Sequence, residues 1–261
     1  MWSRKTFSIL FVFLFILSIT LLHFNSNLPK FNTSLDKYPA GIRNGKFHPN
    51  GNVLRFPGNT IICHLPNSSE VHSSLLAIHD RLKEAPFSHL YTLLPPSSWH
   101  VTIFEGVTDK VRKPGYWPSD LPIDFPVKEC TSVYEDRLSI FDLQTPLPYH
   151  FTIVELKPLK GSISWHVEPH TTDNTALRRL RDRLSNVLKI RAKHHDNYGF
   201  HMAIGYTLRI LTDEQNTEIR EFIENLLKDI PKEFELGAPE FCRFENMFAY
   251  EPLMYLTNQE S

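Results

Sequence analysis

The sequence predicts an α+β fold in which two similar strand–helix lobes follow an N-terminal apolar helix, with an α/β arrangement as the alternative. Three observations predict it. Apolar runs of strand length alternate with apolar stripes at three- and four-residue steps, in the same order twice. The strands WHVTIFEGV and GFHMAIGYTL, each with one histidine, occupy corresponding places in that repeat. The run Phe7 to Leu22 carries no charge, and only Ser8, Ser18 and Thr20 in it are polar. A chain of 261 residues with 41% hydrophobic content is long and apolar enough to bury a sizeable core.

Taken in order, residues 1–6 read as a short cytosolic tail and 7–24 as a signal anchor or signal peptide. Arg4 and Lys5 precede the apolar run, so an anchor would leave the remainder lumenal, as a single-pass type II membrane protein. A cleaved signal would make the protein secreted. Either route agrees with the sequons at Asn32 and Asn67, two expected glycosylation sites. Residues 25–39, rich in Asn, Ser and Pro, read as a stem. The folded body is expected over 40–256, with one lobe at about 58–145 and the other at about 150–250.

Within the first lobe, NTIICHL reads as a strand; a helix starts at Ser68–Ser69, carries Val71, Leu75, Ile78 and Leu82, and stops at Pro86. The strand LPPSSWHVTIFEGV follows, then a helix from Glu129 to Phe141. The second lobe opens with two strands split by Pro158 and the Lys160–Gly161 turn. A helix with the stripe Leu177, Leu180, Leu184 and Leu188 comes next, and its other faces are crowded with arginine and lysine. After GFHMAIGYTL, Thr212 and Gln215 form a possible capping box for a helix from Asp213 to Ile230. A last strand is expected within Glu240 to Tyr250.

Composition narrows the function. Lys plus Arg number 28 against 29 Asp plus Glu, so no basic footprint for long nucleic acid exists, and the expected unit is a monomer. Cys63, Cys130 and Cys242 lie far apart without a CxxC pair, which excludes a zinc ribbon and a disulfide scaffold and allows at most one disulfide. Neither a G-x-S-x-G elbow nor a phosphate-binding G-x-x-x-x-G-K-[ST] loop is present. The acidic D-x-D motif expected of an anchored nucleotide-sugar transferase is missing too. His166-Val-Glu-Pro-His170 and His194-His195-Asp196 suggest a metal, but Pro169 disfavours the helix a zincin pair needs. Both read as polar strand-end and loop residues, and neither metal nor cofactor is expected.

Period-2 geometry assigns faces to the histidine strands. Ser98, His100, Thr102, Phe104 and Gly106 share one face of the first, opposite Trp99, Val101, Ile103 and Val107. In the second, His201, Ala203, Gly205 and Thr207 oppose Phe200, Met202, Ile204, Tyr206 and Leu208, which puts Tyr206 on the core side. Each strand therefore offers one imidazole among small or polar neighbours. WHVTIFEGV and FHMAIGYTL resemble the paired H-x-T/S strands of the two-histidine (2H) phosphoesterase superfamily. PGNTIICHLP and LPPSSWHVTIFEG extend the resemblance, toward an uncharacterised branch, over most of residues 40 to 250.

The resemblance implies a bilobal fold whose motif strands lie side by side and open a central cleft. It also implies a metal-independent phosphodiesterase with His100 and His201 as the acid/base pair. The substrate would be a small, nucleotide-like phosphodiester with a 2′,3′-cyclic phosphate or a 2′,5′ linkage. Two imidazoles suit this chemistry, because near neutrality one can be neutral while the other is charged. Thr102 would bind a non-bridging phosphoryl oxygen, while Phe104 and Thr207 complete the expected substrate contacts. Ala203 departs from the pattern, which usually has Thr or Ser there. Thr207 does not replace it, since four strand residues at about 3.3 Å each place it roughly 13 Å away. A catalytically degenerate phosphate-ligand-binding protein is the alternative.

Overall fold

The structure, a computed structural model, describes residues 37–228 and 230–259. The apolar run, the stem and Asn32 lie outside those residues. Among the described residues no helix is long and apolar enough to cross a membrane.

The chain builds one mixed α+β unit on an antiparallel sheet. A single turn, α1 (Ala40–Arg43), leads into β1 (Gly58–His64) and α2 (Glu70–Glu84), which the Ser69 side chain caps by accepting from His72 N. Next come β2 (Tyr91–Leu93), β3 (His100–Thr108) and α3 (Val127–Ser139). The second half runs β4 (Tyr149–Leu156), β5 (Ile163–Pro169), α4 (Thr171–Leu188), β6 (His201–Thr207) and α5 (Asp213–Leu227). The expected Thr212–Gln215 capping box is present at the start of α5. The chain ends in β7 (Glu233–Leu236), β8 (Glu240–Asn246) and β9 (Ala249–Tyr255). The stretch read as one final strand is thus the β8–β9 hairpin, and the short β2 and β7 add to the expected set.

Sheet order is β7-β4-β5-β6-β3-β1-β8-β9, with β2 also pairing β6. The histidine strands meet where β3 lies against β6, but the expected lobe bounds do not hold: β8 and β9 from the second half extend the sheet beyond β1, and β2 from the first half pairs β6. The strands pair antiparallel throughout this sheet. Helices α3 and α4 pack together, α3 onto β1 and α4 onto β3 and β5, while α2 meets α5 and β7. The predicted stripe of α4, Leu177, Leu180, Leu184 and Leu188, is fully buried. Each buried leucine contributes about 1.5–3 kcal/mol, so this stripe does much to hold α4 on the sheet. Trp99, Val101, Trp165, Met202 and Ile204 form the core beneath the histidines. All three cysteines are buried free thiols, so the one possible disulfide is not formed.

Candidate active site

His100 opens β3 and His201 opens β6, so the meeting of the two halves brings the histidines to one place. Val101 pairs with Met202 in the antiparallel ladder. In that register Thr102 falls opposite His201, and Ala203 opposite His100. The two imidazoles are diagonal neighbours, a relation that sets Cβ atoms about 7–8 Å apart.

Both rings are held alike. His100 Nδ1 donates to Ser98 O at 2.7 Å, and His201 Nδ1 donates to Gly199 O at 3.2 Å. A carbonyl can only accept, so the proton sits on Nδ1 and each Nε2 is left free. Burial is the main influence on His100 and pushes its pKa down to about 4, with His64, His201 and Lys46 adding repulsion. Burial also lowers His201, as do Lys157 and Lys46, while the Gly199 carbonyl and the Glu105 carboxylate act in the opposite direction.

Beyond the motif residues the strands depart from strict alternation. Ile61 pairs with Phe104 but Ile62 with Thr102, so Ile103 is an extra residue in β3. Likewise Ile163 pairs with Gly205 but Ser164 with Ala203, so Ile204 is an extra residue in β6. Each bulge lies three positions after its histidine and inverts the faces of the residues that follow, in β3 only until a second irregularity after Glu105 returns Val107 to the core. Three sequence expectations change as a result. Phe104 is buried in the core instead of facing the cleft, and Glu105 takes the half-exposed place. Thr207 is buried at 1% exposure and is no cleft residue. Tyr206, expected on the core side, lines the same cavity as His201. Only Thr102 of the three predicted substrate contacts stands beside the histidines, where it neighbours the Tyr198 phenol.

Each bulge frees a carbonyl that must be paired. Ile103 O accepts from Arg181 Nη1 at 2.6 Å, and Ile204 O accepts from Leu94 N at 2.8 Å. Arg181 is almost fully buried, with its guanidinium 3.9 Å from the Tyr198 ring centroid and 4.0 Å from Glu105. Arg183 of the same helix caps the Asp142 and Leu143 carbonyls. Gly205 is required by close approach, since a Cβ there would meet Thr92 O at 2.9 Å.

Two further histidines flank the pair. His64 pairs with His100 across β1–β3, and His166 pairs with His201 across β5–β6. His64 Nδ1 lies 2.7 Å from Glu240, and His166 Nε2 lies 3.0 Å from Glu168. Tyr250 from β9 packs edge-on against His100, with centroids 4.4 Å apart. Sequence reasoning missed these neighbours, because no local spacing links β1 or β9 to β3. It also missed Ser164, the cross-strand partner of Ala203, whose hydroxyl is 3.0 Å from that of Ser162. Both serines line a cavity of about 390 Å³ that also holds His201, Lys46, Lys157 and Lys160.

Among the described residues, two groups bring three potential metal-ligating atoms within 4.8 Å of one another: His64–Glu240–Cys242 and Asp182–His195–Asp196. His166 and His170 belong to neither, and His170 is held instead by Glu233 at 2.7 Å. Asn67 is exposed in the turn after β1.

The family model described as 2H-phosphodiest, Domain of unknown function (DUF1868), matches residues 46–162, the span that holds β1, β3 and His100. Over that span, a little under half of the sequence, the chain is similar to the 2H phosphoesterases. Among solved structures, the chain resembles a conserved protein of unknown function from Agrobacterium tumefaciens. Identity is 27% and the TM-score 0.75, with 84% of this chain and 93% of that one covered. LigT from E. coli, solved in apo form, is 12% identical at a TM-score of 0.43, covering 78% and 99% of the two chains. TT0787 of Thermus thermophilus is 13% identical at a TM-score of 0.44, covering 77% and 99%. No curated protein matches at a significant level.

Proposed function

We propose that this chain is a 2H phosphoesterase that hydrolyses a small phosphodiester, a 2′,3′-cyclic phosphate or a 2′,5′ linkage, with His100 as general base and His201 as general acid. The observation that carries the reading is the matched pair of rings, each fixed through Nδ1 to the carbonyl two residues earlier, with both Nε2 atoms free. The division of roles rests on their surroundings. His100 is pushed down to about 4 and is neutral at pH 7, as a base must be. His201 has the Glu105 carboxylate in its field, which favours the imidazolium an acid needs.

In the proposed reaction His100 Nε2 takes a proton from water as the water oxygen bonds to phosphorus. The P–O bond to the ribose oxygen breaks, and His201 Nε2–H protonates the departing oxygen, giving a phosphomonoester. A bound anionic phosphate favours protonated imidazole, so it raises both pKa values toward neutrality once substrate is in place. Thr102 donates to one non-bridging oxygen. Ser164 supports the other, standing next to the place where Ala203 lacks a hydroxyl. No metal takes part in these steps. A lumenal location through an N-terminal anchor belongs to the same proposal and concerns residues outside those described.

The test is turnover of 2′,3′-cyclic nucleotides by the detergent-solubilised full-length chain in excess EDTA, beside His100→Ala and His201→Ala. Activity that survives chelation and is lost in both variants is the expected result. Binding without turnover would instead support the degenerate reading raised by Ala203, and loss of activity in EDTA would sink the metal-independent mechanism.

A further inference from the structure

We infer that the cavity beside His201 is a subsite for a second anionic group, so that the substrate is a phosphodiester carrying an additional phosphate away from the bond that is cleaved. This rests on the proposed function for the position of the reacting phosphate and adds the substrate class. Lys46, which follows α1, and Lys157 and Lys160, from the turn joining β4 to β5, converge on the cavity with Ser162, Ser164 and His201. No carboxylate lines it. Among the described residues none of the three ammonium groups has an Asp or Glu oxygen within 4.0 Å.

Charge matching shows why this exceeds what the reacting phosphate needs. A cyclic phosphodiester bears one negative charge, which the His201 imidazolium alone balances. Three lysines in a concave, carboxylate-free wall then leave a surplus that fits a phosphomonoester of about −1.5 to −2 charge. Lys46 is also fixed in place: its Nζ donates to Tyr206 Oη at 3.2 Å and lies 5.6 Å from the Phe56 ring centroid. It lines the same cavity as His201 and, through Tyr206, is tied to β6.

Calorimetric titration of the full-length chain at low salt with adenosine 3′-monophosphate and adenosine 3′,5′-bisphosphate tests the inference. The bisphosphate should bind at least about tenfold more tightly. Lys157→Ala with Lys160→Ala should bring the two affinities within about twofold, whereas Lys157→Arg with Lys160→Arg should keep the preference. A melting curve for each double variant checks that it is folded. Equal affinity in the unmodified chain, failure of both nucleotides to bind, or a preference that survives the alanine pair each overturns the subsite. The readout needs no turnover. A bisphosphate preference without hydrolysis of a 2′,3′-cyclic nucleotide would therefore count against the catalytic reading and leave the subsite standing.

Discussion

The two histidine strands repeat one another in backbone and differ in what surrounds them. β3 and β6 each open on histidine, tie its Nδ1 to a carbonyl two residues back, and carry an extra isoleucine three residues on. Yet β3 keeps the hydroxyl of Thr102 and pairs its bulge carbonyl with a side chain, Arg181, whereas β6 has Ala203 and uses the Leu94 backbone. The position five residues beyond the histidine is Glu105 in one strand and Tyr206 in the other. What is common to both strands is the frame that aims two imidazoles. What differs is the supply of charge and hydroxyl groups around them, which is the basis of the unequal roles proposed for the two rings.

The comparison breaks at its core if the histidines are not equivalent in need. His100→Ala and His201→Ala should each lower kcat/KM by about 10²–10⁴-fold, measured by steady-state hydrolysis of a cyclic nucleotide. A large loss in only one would assign the chemistry to a single half. Next in size, Arg181→Leu should destabilise the fold by about 1–3 kcal/mol in chemical denaturation, because it leaves the buried Ile103 carbonyl unpaired. An unchanged midpoint would show that water or a shift of the chain satisfies that carbonyl.

Hydroxyl supply is tested by Thr102→Ala and Ser164→Ala, each expected to reduce the rate by about one to two powers of ten. Ala203→Thr should then rescue Ser164→Ala while changing the unmodified chain by less than about threefold, within the scale of one partly redundant hydrogen bond. If Ser164→Ala retains full activity, the asymmetry between the strands is not compensated from β5.

The smallest effects come with pH. The folded pKa of His100 lies below the unfolded value of about 6.5, so between pH 6.5 and 4 the unfolded chain binds more protons, and stability falls as pH falls. From pH 7 to 5 the loss from this residue is about 2 kcal/mol, which denaturation of His100→Asn should not show. In kinetics, kcat/KM needs neutral His100 and charged His201. Since both rings are lowered, its maximum should lie below pH 6.5, with the kcat maximum at higher pH because bound phosphate favours the imidazolium. A kcat/KM optimum above pH 7 would reverse or remove the assigned roles.

Much of this was legible from local pattern. The leucine stripe of α4, the capping box at Thr212 and the two histidine strands follow from spacings within one element. The site's outer residues were not, since His64, Glu240, Tyr250 and Ser164 arrive through pairings between distant segments. The errors at Phe104, Thr207 and Tyr206 share one cause. Strict alternation holds only as far as the first bulge, and an isoleucine among other apolar residues gives no sign that it is the extra one.

The seam between the two histidine strands is narrow, because β3 and β6 share a single register pair, Val101 with Met202, before parting. Strands that separate so soon hold each other through few ladder bonds at the histidines. Amide protons there should trade with heavy water sooner than those of the β1–β3 or β4–β5 ladders, and a ligand bridging the two strands would slow that trade. The place proposed for the phosphate would then also be the loosest stitch in the sheet.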